Sequence, residues 1–314
     1  MANDRAGFEN FRGFDRFDFP EGIVRVTAGQ GGEALLITGS EKAALYDCGM
    51  AYCGDKLIEN IKSRLGDRPL DYVLASHTHY DHIGALPFIR QAWPGVVTVG
   101  AEHAKKVFSS QGAINTINSL GENAWRLYEA TNEYIIPPAG FAIDKVVGDG
   151  DRISLGHEEI VVIETGGHTN CSLAFALEPQ KTLFMSESTG VLEGPDKIHA
   201  TILKSYRDSM TSVEKSRNYG AKRLISPHYG LMPEFYNERY WELYLSTIED
   251  YRFFLFELFE RGLDDEEILV QYEELRRDGI VKIEQPREAF LMNARVVIKV
   301  FKQEYKDSRL FPDR

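Results

Sequence analysis

Several things are missing or scarce in these 314 residues, and each shortage removes a class of protein. No run of about eighteen or more apolar residues occurs, so no membrane-crossing helix is expected. Residues 1–18 mix Phe with Asp, Arg and Asn instead of placing a basic stretch before an apolar one, so no secretory signal is expected either. The cysteines are only Cys48, Cys53 and Cys171, an odd set without paired zinc-ribbon spacing. That excludes a disulfide scaffold and leads us to expect a reducing compartment, the cytoplasm. Basic residues are outnumbered, 36 against 48 acidic ones, and the net charge of −12 argues against nucleic acid as a partner. A Gly-x-Ser-x-Gly elbow is absent too, so no serine nucleophile of that kind is expected.

What is present is ample material for a core, 43% apolar residues with 11% aromatics. Short β-type runs read as strands over 23–28, 34–38 and 43–47, separated by Gly29-Gln30-Gly31-Gly32 and Gly39-Ser40-Glu41. The glycine-rich stretch opens a strand rather than a helix, so it reads as a turn and not a phosphate cradle. A helical spacing follows over 55–65, then a strand over 71–75, a helix over 84–93, a strand over 96–99 and a helix over 102–108. A second run of strands covers 141–147, 152–154, 159–164, 172–177 and 182–185, followed by a helix over 209–219 and a strand over 223–226. The strand-and-helix pattern therefore occurs twice. Beyond Pro233 the character changes: 234–261 and 287–305 are helical, aromatic and free of turn chemistry. We expect a catalytic domain over 1–232 and a helical extension over 233–314 that covers the active site or forms a homodimer contact.

The residues that carry chemistry lie in His77-Thr78-His79-Tyr80-Asp81-His82, directly after a strand. Imidazole nitrogen and carboxylate oxygen suit borderline metals such as zinc, and alternate residues of an irregular loop can turn to one side. Three more strand ends offer donors: His168 in Gly166-Gly167-His168-Thr169, Glu187 after 183–185, and His228 in Pro227-His228-Tyr229-Gly230. Any of them alone would be an ordinary residue, and their shared position is what raises the joint reading. His103, His157 and His199 fall outside the pattern and read as helix-face, turn or loop residues. Cys171 reads as a small core residue, and Tyr80 and Tyr229 flank ligands.

This order of motifs resembles the metallo-β-lactamase superfamily over about residues 20–232. The resemblance implies an α/β fold of four layers, αββα, with the helical appendage outside it. It also implies two divalent metal ions, zinc first, with iron or manganese as alternatives. His77, His79 and His168 would bind one ion and Asp81, His82 and His228 the other, with Glu187 bridging. Asp47 matches the family's early Asp-x-Gly turn and would orient ligand histidines. The implied activity is hydrolysis by a metal-bound hydroxide, with Asp81 relaying a proton to the leaving group.

The family hosts many reactions, and some recede here. Flavin-linked diiron members replace the second His by Glu and carry a flavodoxin domain, whereas this chain has His79. Nucleases with a large insertion place it before the last ligand, yet only 41 positions separate Glu187 from His228. Glyoxalase II also ends in a helical region, but its basic glutathione-binding residues cannot be placed. The compact core followed by aromatic helices is similar to the thioesterase-like members related to the quinolone signal response protein. A small acyl ester, thioester or lactone is therefore the expected substrate. The alternatives are a metal-containing regulatory or ligand-binding protein with little turnover, favoured by Glu187 where the family usually has Asp, and a phosphodiesterase of the same fold.

Overall fold

Alternation along the strands decides the layering. The computed structural model describes residues 19–128, 134–194, 197–228, 230–232, 236–278, 281–282 and 285–310. The first sheet runs in the order β1 (Ile23–Arg25), β2 (Leu35–Thr38), β3 (Ala43–Tyr46), β4 (Tyr72–Leu74), β5 (Val97–Gly100) and β6 (Lys145–Val146). The second contains β7 (Arg152–Ser154), β8 (Glu159–Glu164), β9 (Leu173–Glu178) and β10 (Thr182–Phe184). Next in the chain comes a separate hairpin of β11 (Val191–Gly194) and β12 (Lys197–His199). β13 (Arg223–Ser226) and β14 (Gly230–Leu231) complete the second sheet, whose order is β14-β13-β10-β9-β8-β7.

On β8, Ile160 and Val162 enter the core shared with the first sheet, whereas Val161 and Ile163 enter a second core on the opposite face. A strand buried on both faces needs such a continuous apolar run. Tyr46 ties the sheets together, its ring against Phe175 and Phe184 and its hydroxyl donating to the Met185 carbonyl at 2.8 Å. Helices α1 (Gly54–Leu65), α2 (Tyr80–Ile83), α3 (Leu86–Ala92), α4 (Glu102–Phe108) and α5 (Gln111–Tyr128) belong to the first half. α1, α3 and α4 pack Leu57, Ile61, Leu86 and Ala104 into its core. The second core is closed by α6 (Tyr206–Asn218), α7 (Asn237–Glu260), α8 (Asp265–Arg276) and α9 (Arg287–Leu310). Sheet lies on sheet with helices outside, the αββα arrangement.

Three expectations need correction. The helix read over 84–93 forms as α3, but a separate turn of helix, α2, precedes it where a loop was expected; Pro87, in the first turn of α3, has no N–H to carry α2 on into it. The strand over 141–147 shrinks to Lys145–Val146. The Asp144 side chain takes the Thr98 N–H at 2.8 Å, so ladder pairing starts only beyond it. Beyond the helices read over 234–261 and 287–305, α8 also forms, opened by a capping box between Asp264 and Glu267. Among the described residues no helix is long and apolar enough to cross a membrane.

Candidate metal centre

In the first sheet β3, β4 and β5 are parallel, and in the second β8, β10 and β13 point one way. Their carboxyl ends carry the polar groups. Past β4 the chain bends at Ser76 and is extended at His79 (ψ 145°); it then coils into α2, so Asp81 and His82 leave from a helical turn. Loop and first turn together collect four donors within six residues.

The seven residues singled out by sequence fall into two groups that share Glu187. His77, His79, His168 and Glu187 form one, Asp81, His82, Glu187 and His228 the other, and the donor atoms within each lie within 4.8 Å of one another. Glu187 Oε1 is 2.8 Å from both His82 Nε2 and His228 Nε2, while Oε2 is 3.0 Å from His168 Nε2. One carboxylate therefore presents an oxygen to each group. Its neighbours do not compete for the place: Ser188 Oγ donates to the Thr165 carbonyl, and Ser186 Oγ accepts from Ser188 N. Tyr80 lines the adjoining cavity, Cys171 is buried, His103 and His157 are exposed, and Tyr229 lies outside the described residues.

Second contacts fix the rings. Asp47, fully buried, accepts from Ser76 N (2.8 Å), from Ser76 Oγ (2.6 Å) and from His82 Nδ1 (2.9 Å). His168 Nδ1 donates to the Thr201 carbonyl at 2.7 Å. With Nδ1–H committed, a neutral His168 or His82 turns a lone pair toward Glu187. Lone pair against carboxylate at 2.8–3.0 Å is stable only with a cation between them, proton or metal. His77 Nε2 is buried without a hydrogen-bond partner, as a donor atom kept for a metal would be. Burial drives the His77 imidazole down, reinforced by His82 and His79, and takes His79 to about 4, so both stay neutral donors. At His82 burial also pulls down, but Asp81, Asp47 and Glu187 outweigh it and hold positive charge there. The donor set thus fits divalent cations of the zinc or iron type.

Two glycines are required. Gly167 has φ +119°, and a Cβ on it would run into Ser209, whose backbone N would be 2.6 Å away. At Gly32 a Cβ would sit 2.5 Å from His82 Nδ1. A side chain at either would displace a ligand histidine.

Asp47→Asn tests the second contacts. The amide cannot accept from both His82 and Ser76 as the carboxylate does, so metal affinity should fall by about 10–100-fold, read by chelator competition. Unchanged affinity would reduce Asp47 to a turn residue.

The cavity above the centre, about 310 Å³, is walled by residues that sequence reasoning missed. Thr116 and Leu120 come from α5; Glu193 and His199 come from the β11–β12 hairpin; Met292 and Asn293 come from α9. His199 had read as a loop residue. The apolar run Val191-Leu192, followed by Gly194-Pro195-Asp196 and then Lys197-Ile198-His199, is a hairpin signal that would have placed it.

A face-to-face pair of sheets with histidines and carboxylates at their carboxyl ends defines a metal-binding α/β sandwich. Residues 29–228 match the family model of the metallo-beta-lactamase superfamily, and the chain belongs to that superfamily. Curated relatives include "Glyoxylase B2" of Dictyostelium discoideum, 28% identical over 42% of this chain and 41% of that protein. A hydroxyacylglutathione hydrolase of Ruegeria pomeroyi is 28% identical over 46% of this chain and 47% of its own length. The chain thus spans about half the length of the curated relatives it matches. A metallo-beta-lactamase family protein from Thermus thermophilus shares the fold with a TM-score of 0.64 at 17% identity, over 92% of this chain and 95% of that one.

Proposed function

We propose that the protein is a metal-dependent hydrolase of small acyl esters, thioesters or lactones. The observation that carries this is Glu187, whose two oxygens face two separate histidine groups at the floor of a cavity of acyl-substrate size. His77, His79 and His168 would hold one cation and Asp81, His82 and His228 the other, with Glu187 between them. Such cations supply Lewis acidity and bring the pKa of water near neutrality. The protein's own work is to fix the histidine rings through Asp47 and Thr201, to exclude bulk water beneath α5 and α9, and to place a proton carrier. Asp81 suits that last role: it lines the cavity, and its Oδ2 is 3.6 Å from His82 Nε2 and 3.7 Å from His228 Nε2. The relatives named as hydroxyacylglutathione hydrolases support an acyl substrate. Glutathione itself fits less well, since the cavity lining contains no Lys or Arg among the described residues to meet its carboxylates. The same lack weighs against a phosphodiester.

The test is metal analysis of gently purified protein together with a panel of thioester, ester, lactone and phosphodiester substrates. Turnover of an acyl substrate, falling about 10²–10⁴-fold per bound metal in Asp81→Asn, is the expected result. Metal-loaded protein that binds acyl compounds without turning any over would be a regulatory protein instead.

A further inference from the structure

The cavity has a second polar end that the metal centre does not use. In the β11–β12 hairpin His199 pairs with Val191 and Ile198 with Leu192. Alternation then divides the hairpin. Leu192 and Ile198, both fully buried, enter the core beneath α7, whereas Val191, Glu193 and His199 line the cavity. The Glu193 residue is only 9% exposed, and its Oε2 has no hydrogen-bond partner; neither has His199 Nδ1. The two side chains do not satisfy each other, since Glu193 Oε1 and His199 Nδ1 stand 3.7 Å apart. Both atoms are closed off from water, so it is the other polar atoms of the two side chains, Glu193 Oε1 and His199 Nε2, that the cavity wall offers to a ligand.

The neighbouring cations are turned elsewhere. Lys197 is held by Asp278 and comes only within 3.7 Å of Glu193 Oε2, while Arg276 bonds the Ile198 carbonyl at 3.2 Å and lies over the Tyr251 ring. Neither lines the cavity. An anion entering would meet the Glu193 carboxyl, and a cation would meet Lys197 and Arg276 behind it. A neutral group that both donates and accepts meets no such opposition. We propose that Glu193 and His199 are a specificity site for an amide of the substrate, Glu193 Oε1 accepting its N–H and the Nε2–H of His199 donating to its carbonyl. Burial keeps the imidazole neutral, driving it down to about 3 with help from Arg276, so it can serve as this uncharged donor. The distance to the reacting end is short. Thr201, whose carbonyl orients His168, follows His199 by two residues, a separation of about 7 Å along extended chain. The substrate class is thus an acyl compound with an amide a few bonds from the scissile carbonyl. The hydrolysis in this statement rests on the proposed function; the amide recognition is a binding property and can be measured without it.

The experiment uses two thioesters differing in one atom pair, S-butyryl-N-acetylcysteamine and its oxygen isostere 2-(butyrylthio)ethyl acetate, with the zinc-loaded protein. The amide should have a KM about 10-fold lower than the ester, the effect of one hydrogen bond to a buried carboxyl. Glu193→Met should bring the two KM values within about twofold of each other, and Glu193→Gln, which still offers an acceptor oxygen, should restore the difference. Calorimetry with the uncleavable thioethers N-[2-(butylsulfanyl)ethyl]acetamide, 2-(butylsulfanyl)ethyl acetate and 3-(butylsulfanyl)propanoate gives the same comparison without turnover. Tighter binding of the amide thioether, levelled by Glu193→Met, supports the site even if neither thioester is hydrolysed, in which case only the acyl-hydrolase reading falls. Equal affinity for amide and ester, stronger binding of the carboxylate, or no binding of any of them overturns it, whether or not the thioesters are cleaved. Should Glu193→Met fail to fold, the wild-type comparison of amide with ester decides by itself.

Discussion

Deleting residues 241–314 is expected to leave no soluble, folded protein. Tyr244, Ile248 and Leu255 of α7 and Phe301 of α9 are fully buried, and they share a core with Val161, Ala174, Leu183 and Leu224 of the second sheet. Each large apolar side chain taken out of water contributes about 1.5–3 kcal/mol. A handful of them matches the whole net stability of a typical domain, about 5–15 kcal/mol. The deletion also bares the sheet's outer face, an apolar surface that associates with its like. Solubility and size-exclusion profiles read the outcome, and a soluble monomer of unchanged melting temperature would contradict it. Tyr244→Phe is the gentle counterpart. It removes only the hydroxyl that donates to the Ser188 carbonyl at 3.1 Å, next to Glu187, and should cost about 1–3 kcal/mol while loosening metal binding.

Glu187→Gln is expected to strip metal from the centre and to lower turnover by at least about 100-fold. The carboxylate offers an oxygen and half a charge to each histidine group; the amide offers one neutral oxygen, and its NH₂ faces whichever group remains. Glu187→Asp separates reach from charge. Keeping the charge but shortening the arm, it should hold one group's cation and lose the other's, so metal stoichiometry should fall by about half while some activity survives. Elemental analysis beside kinetics decides. Full metal and full activity in Glu187→Gln would mean that the side chain is no ligand at all.

Much of the site was legible in the sequence because its donors sit at the ends of strands, where local pattern is strongest. β7, β8, β13 and α4 run over the residues read from the sequence, their apolar runs ending at clear turn residues. β8 and β9, in the middle of the second sheet, are buried on both faces, so their apolar character is unbroken. Harder to read were the walls of the cavity. α5 carries Ile114, Ile117, Leu120 and Ala124 at a helical spacing, but Asn, Thr, Ser and Glu fill the positions between, and only Ile117, Gly121 and Ala124 are buried. The β11–β12 hairpin bends at a register shift between Leu192 and Gly194, which breaks the alternation that marks a strand. The purpose of Glu193 and His199 depends on what surrounds them, and the influence of residues far along the chain, such as Arg276, has no trace in local sequence.

The hydroxyl of Tyr240 donates to the Thr189 and Gly190 carbonyls at 2.6 and 2.9 Å, and that of Tyr244 to the Ser188 carbonyl. These three carbonyls belong to the turn that begins with Glu187. Docking of α7 and occupancy of the cation site are therefore one linked equilibrium, and any free energy gained by ion binding is shared with the helix. In exchange terms, the C-terminal helices are not a cassette: grafting in those of a relative would change how firmly Glu187 is held. Conversely, amide protons of α7 should exchange more slowly when the ion is bound, although the helix supplies none of its ligands.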